Sequence, residues 1–131
     1  MYAVGQEHPL REPCRSVLQR IVDGELAVCT DSEVHQEILY RYWSLSRPTQ
    51  GIALSFNFQG VVNTILPVTS VDITMARELG NRYPHIEPRD WLHLAVMLNN
   101  GIAEIISADR HFDDIEGVTR LDPKEFVRAQ S

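Results

Sequence analysis

The chain has 131 residues, 44% hydrophobic and 23% charged, an ordinary globular composition and enough length for one domain with a single core. No apolar run nears the roughly 18 residues that a membrane helix needs, and no basic start leads into an apolar stretch as in a secretory signal. A net charge of −6 argues against broad attraction to nucleic acid, which needs a basic face. It leaves room for an enzyme whose bunched carboxylates bind divalent cations that then face phosphates.

In chain order, "HPLREPCRSVLQRIVDGE" carries Cys14, Val17, Leu18, Ile21 and Val22 at helical spacing, with Pro9 and Pro13 near its start and Gly24 near its end. "ELAVCT" reads as a short strand. "TDSEVHQEILYRYWSL" opens with Thr30 and Glu33 at capping-box spacing and continues as a helix with Val34, Ile38, Tyr42 and Leu45 inward. "PTQGIALSFNFQGVVN" is a helix weakened by Gly51 and Gly60. "TILPVT" is a second strand, and "SVDITMARELGNRYP" a helix with Met75, Ala76, Leu79 and Tyr83 inward. "EPRDWLHLAVMLNNG" starts with Pro88 near the first helical position and stops at Asn99-Asn100-Gly101. It is apolar nearly all round, which predicts a buried helix. "AEIIS" is a third strand and "VTRLDP" a fourth. Strands alternating with helices imply an α/β/α sandwich around a mainly parallel sheet, with functional groups gathered beyond the carboxyl ends of the strands.

Cys14 and Cys29 are too few for a disulfide framework or a usual zinc site, and read as reduced core residues of an intracellular, cytoplasmic protein. The histidines show no zinc spacing, and His93 reads as a satisfied residue of a buried helix. Acidic residues carry the remaining signal. Asp109 directly follows an apolar strand in "SADRHFDD", with Asp113 a short loop away, Phe112 tucked inward, and one of Asp113 and Asp114 available to cap a short turn. Asp90 falls in the first turn of the buried helix, where capping is the plain alternative to a site role. Glu37 lies mid-helix, and pattern alone favours its pairing with Arg41 at i+4, beside Glu33. Carboxylates converging on one point would stay ionised only if a cation neutralised them, and all-oxygen donors select Mg²⁺ or Mn²⁺ over Zn²⁺.

These segments resemble the PIN-domain nucleases, above all the small VapC-like toxin subunits of toxin–antitoxin pairs, over nearly the whole chain. "SEVHQEILYRY" is similar to the family's helix with an internal glutamate, which falls on Glu37. "IEPRDWLHLAVMLNNGIAEIISADRHFDDIEGVTRLDP" is similar to its C-terminal half, whose aspartates fall on Asp90, Asp109 and, for a more variable acid, Asp113. "YAVGQEHPLREPCRSVL" resembles the stretch that opens the first helix. The resemblance implies a PIN-like domain over residues 1–131 acting as a metal-dependent endoribonuclease. Glu37, Asp90 and Asp109 would be its catalytic acids and Mg²⁺ or Mn²⁺ ligands, Asp113 a second-rank ligand and Asp114 a turn residue. RNA would be its substrate, an antitoxin its partner, and a homodimer its assembly.

In one respect the sequence departs from the family. A central first strand ending in a metal-binding aspartate comes before the "YAVG"-like stretch in the family, whereas this sequence starts at Met1-Tyr2. The expectation is that this strand and ligand are missing. Two further readings stay open beside the toxin: an inactive PIN-like binding module, and a housekeeping nucleic-acid-processing nuclease. The crowd of apolar residues in "ILYRYWSLSRPTQGIALSFNF" adds modest support for a dimer, because a helix cannot face the core on every side.

Overall fold

Five α-helices and four short strands organise residues 11–125, the part of the chain that the computed structural model describes. The chain divides into two compact units, Val28–Ile102 and Met1–Ala27 with Ala103–Ser131. The "YAVG" stretch and Pro9 lie outside the described residues, and so does the expectation of a missing first strand.

Within the first unit, β1 (Thr30–Asp31) pairs in parallel with β2 (Ile65–Leu66), Thr30 opposite Ile65 and Asp31 opposite Leu66. The sequence places the first strand earlier, across "ELAVCT". The structure corrects this, because Glu25 is used in closing the preceding helix: its N–H donates to Arg20 O at 2.9 Å, and Gly24 takes φ +77°. The chain meets its partner strand only where Thr30 N–H donates to Thr64 O at 3.0 Å.

Helix α2 (Ser32–Ser44) is capped by Asp31, whose Oδ1 accepts the Val34 N–H at 3.0 Å; the expected Thr30–Glu33 box does not form, because the helix starts at Ser32 and the residue before it is Asp31. Ile38 and Tyr42 are buried as the spacing predicts. Leu45 is not inward: it forms the C-cap and is exposed, and Ser46 turns the chain at φ +61°. Helix α3 (Pro48–Val61) packs on α2. Gly51, a weakness in an isolated helix, serves that packing, since a Cβ there would stand 2.7 Å from the Tyr42 Cβ. His35 Nδ1 and Ser55 Oγ, 2.7 Å apart, join the same two helices.

Helices α4 (Ser70–Arg82) and α5 (Pro88–Asn99) pack on each other. Ala76 and Leu79 are buried, Met75 and Tyr83 half-buried, and Asp72 is buried among them although the sequence does not mark it as inward. Asp72 closes the capping box with Thr69 at 2.8 Å and accepts a 2.8 Å bond from Asn99 Nδ2, so the start of α4 is tied to the end of α5. Its carboxyl sits below the usual range: burial opposes this, but the Asn99 and Thr69 bonds favour the charged form. Trp91 lies flat enough on Gly80 that a Cβ there would come within 3.0 Å of the ring, while its Nε1–H donates to Tyr83 O. Leu94, Ala95 and Val96 are essentially inaccessible, as the apolar sequence of α5 requires.

In the second unit, α1 (Arg11–Val22) buries Val17 and half-buries Cys14, Leu18 and Ile21, while Val22 at its end is exposed. Strand β3 (Glu104–Ile106) pairs in parallel with β4 (Thr119–Leu121), Ile105 opposite Arg120. A 3₁₀ turn at Arg110–Asp114 links them and buries Phe112, with Ile115 and Val118 buried beyond it. Both strand pairs are parallel, in accord with the α/β class. No described helix is long and apolar enough to cross a membrane.

Candidate acidic site

A short strand running straight into a helix puts Asp31 at a junction where both of its oxygens are used. Oδ1 caps α2 through the Val34 N–H, and Oδ2 stands 2.7 Å from His93 Nδ1. The other ring nitrogen, Nε2, is 2.8 Å from Glu37 Oε1 on the second turn of α2. His93 thus reaches from α5 between two carboxylates of α2, with only 12% of its side chain exposed. Burial alone would favour neutral imidazole, but two ionised acceptors outweigh it and push His93 up to about 10. At neutral pH both ring N–H groups therefore donate. The i+4 pairing of Glu37 with Arg41 does not form; Glu37 turns to His93 instead.

Asp90 and Glu33 lie on the same two helices as this relay. Asp90 is half-buried in the first turn of α5, its own N–H donating to Glu87 O at 2.9 Å. Three residues before His93, it lies on the same helical face. Glu33, in the first turn of α2, has its carboxyl raised, first by burial and then by the nearby charge of Glu37.

Asp109 and Asp113 belong to the other unit. Asp109 follows β3 and caps the 3₁₀ turn, its Oδ1 accepting the His111 N–H at 2.9 Å and its own N–H donating to Ser107 Oγ at 3.0 Å. The capping role expected of Asp113 or Asp114 therefore falls to Asp109, because the turn starts at Arg110. Asp113 is held by Arg120, whose Nε donates to Oδ1 at 2.7 Å; that guanidinium holds the Asp113 carboxyl below its usual range. The same guanidinium donates from Nη1 to Ser107 O at 3.0 Å and to Asp122 Oδ2 at 3.1 Å.

The donors suit a hard cation by type: Glu37, Asp90, Asp109 and Asp113 offer only oxygen, and both nitrogens of His93 are turned to carboxylates, which removes that imidazole from the possible ligands. Asp31 is directed elsewhere: its side chain is nearly covered, one oxygen accepts the Val34 N–H and the other faces His93. Among the described residues, no group of three or more His, Cys, Asp or Glu side chains stands where it could hold a metal ion.

Sequence reasoning missed Asp31 and the task of His93. The signal was present in "TDSEV", where the acid after Thr30 is the stronger cap, and in "RDWLH", where Asp90 and His93 share a helical face. Neither pattern says that the two segments meet.

Comparison with known proteins places these residues in a family context. A family model described as PIN domain matches residues 1–118. The chain is 38% identical over 122 residues to Ribonuclease VapC13 of Mycobacterium tuberculosis, covering 92% of each chain. It is 34% identical over 109 residues to Ribonuclease VapC23 of the same organism, covering 83% of this chain and 86% of the relative. To Ribonuclease VapC7, also from Mycobacterium tuberculosis, it is 31% identical over 126 residues, covering 94% of this chain and 86% of the relative.

Proposed function

The chain belongs to the PIN-domain family, and we propose that it is a metal-dependent endoribonuclease, the toxin component of a toxin–antitoxin pair. The observation that carries this reading is the 38% identity, over 92% of both chains, to a relative named as a ribonuclease. The family match from residue 1 to 118 runs through both compact units, which supports reading residues 1–131 as one PIN-like domain.

Glu37, Asp90 and Asp109, with Asp113 in second rank, would hold Mg²⁺ or Mn²⁺. Such a cation, when bound, activates a water for in-line attack on a phosphodiester and neutralises the charge that builds there. The chain's own residues supply position and charge. Asp90 sits in the first turn of α5, at the helix end where a side-chain carboxylate is well placed. Glu37 is restrained at one oxygen by His93. Asp109 is fixed by the turn that it caps.

Cleavage of RNA by the purified chain in millimolar Mn²⁺ tests this reading. Asp90→Asn and Asp109→Asn should each lower the rate by roughly 100-fold or more, with the double variant little worse, because residues serving one centre fail together. Cleavage that persists in EDTA, or survives both substitutions, rejects the reading.

The partners follow from the same assignment: RNA as substrate, a protein antitoxin, and a second copy of the chain. Tyr40, Trp43, Leu45, Ile52 and Phe56 are all exposed on α2, α3 and the turn between them, Tyr40 and Trp43 with rings in contact, and exposed apolar side chains gathered on one stretch support an interface there. Light scattering should give a dimer mass that Trp43→Glu converts to monomer. A monomer at tens of micromolar without antitoxin would rule the dimer out.

A further inference from the structure

A glutamate on a helix surface ordinarily samples many rotamers, and ordering it costs side-chain entropy. Glu37 is one-third exposed, yet its Oε1 is fixed at 2.8 Å by His93. His93 is fixed in turn at its other nitrogen by Asp31, 2.7 Å away, and Asp31 is fixed by the α2 backbone through the Val34 N–H. The bonds form a closed circuit. It leaves α2 at its N-cap, passes through the ring of an α5 residue, and returns to α2 at Glu37. The ring cannot tilt toward one carboxylate without leaving the other.

We propose that Asp31 and His93 are positioning residues for Glu37, holding its carboxylate in one orientation through the relay Asp31–His93–Glu37. The proposal rests on the reading of Glu37 as a metal ligand. What it adds is that a histidine and a second acid, neither of them a ligand, set the direction in which Glu37 presents its remaining oxygen. Outer partners of this kind, which orient a ligand without touching the metal, typically account for 10- to 100-fold in metal affinity.

Asp31→Ser separates positioning from support of the helix. Serine keeps a side-chain oxygen for the Val34 N–H but is too short to reach His93. In the full chain without metal, carbon-13 relaxation at the Glu37 side chain should report an ordered group in the wild type. In Asp31→Ser and in His93→Ala it should become as mobile as Glu78, an exposed helical glutamate. With Mn²⁺ added, calorimetry should show both variants binding roughly tenfold or more weakly, while circular dichroism shows the helices retained. A Glu37 side chain equally ordered in wild type and Asp31→Ser overturns the proposal, whatever happens to Mn²⁺. If the wild type binds no Mn²⁺, the ligand reading of Glu37 fails on that result alone, and the relaxation data still decide whether the relay holds the side chain. Should His93→Ala unfold the chain, Asp31→Ser carries the test.

Discussion

Two parts of this molecule gather carboxylates, and they neutralise them differently. Between α2 and α5, a single imidazole stands between Asp31 and Glu37, and its charge can be removed by raising the pH. After β3, a guanidinium binds Asp113, Asp122 and the Ser107 carbonyl together, and its charge is permanent. Arg120 is almost wholly covered, at 9% side-chain exposure, whereas Asp113 is 44% exposed. The arginine therefore serves the strand end and the loop more than it serves Asp113. Acids close together in sequence are therefore not equally available to a cation: Asp113 is already compensated by Arg120, while Asp109 has a backbone N–H and its neighbour His111.

The largest effect that would sharpen this contrast is expected at Arg120. Arg120→Ala leaves the Ser107 carbonyl and Asp122 without their shared donor, and should cost about 2–3 kcal/mol in urea unfolding. Asp113→Asn should cost clearly less, because that carboxylate faces water. Equal losses from the two substitutions would mean that the pair itself, rather than the loop anchored on Arg120, carries the stability.

A smaller effect should separate the two regions by pH. His93 is raised in the folded chain above its ordinary value near 6.5, so its stabilising contribution is complete below about pH 6.5 and is lost as pH rises through about 10. Between these limits the wild type should lose stability, and His93→Gln should flatten that part of the curve, at a cost of about 1–2 kcal/mol at neutral pH. Arg120→Ala should leave the slope over this range unchanged. Parallel wild-type and His93→Gln curves from pH 6.5 to 10 would show that the imidazole carries no more charge in the folded chain than in the unfolded one.

The exposed apolar surface of α2 and α3 shows how far pattern alone can reach. Sequence counts more large apolar residues in this stretch than one face can bury, and the structure leaves Trp43, Phe56 and Ile52 outside while Tyr42 and Ile38 go inside. Helical spacing turns Leu45 inward but cannot say that the helix stops before it, which leaves Leu45 exposed at the C-cap. Box spacing points to Thr30 as the cap, but it cannot say that the helix begins one residue later, at Ser32, with Asp31 before it.

The sequence by itself determined the kinds of elements, their order and the acids worth watching, since helical spacing, proline and glycine punctuation and strand-end polarity are local properties of the chain. It placed Pro88 and Gly101 at the two ends of α5 and Phe112 indoors, and the structure agrees. Tertiary structure alone decided what those acids do. Asp31 and His93 are 62 residues apart, and Asp113 and Arg120 lie on different elements; nothing in either stretch names the other. A carboxylate's partner is set by which helices and strands pack together, and packing is a long-range outcome of burying Leu94, Val96 and Leu79 rather than of the acids themselves. The hydrophobic residues choose the arrangement, and the polar ones meet whatever partner it brings within reach.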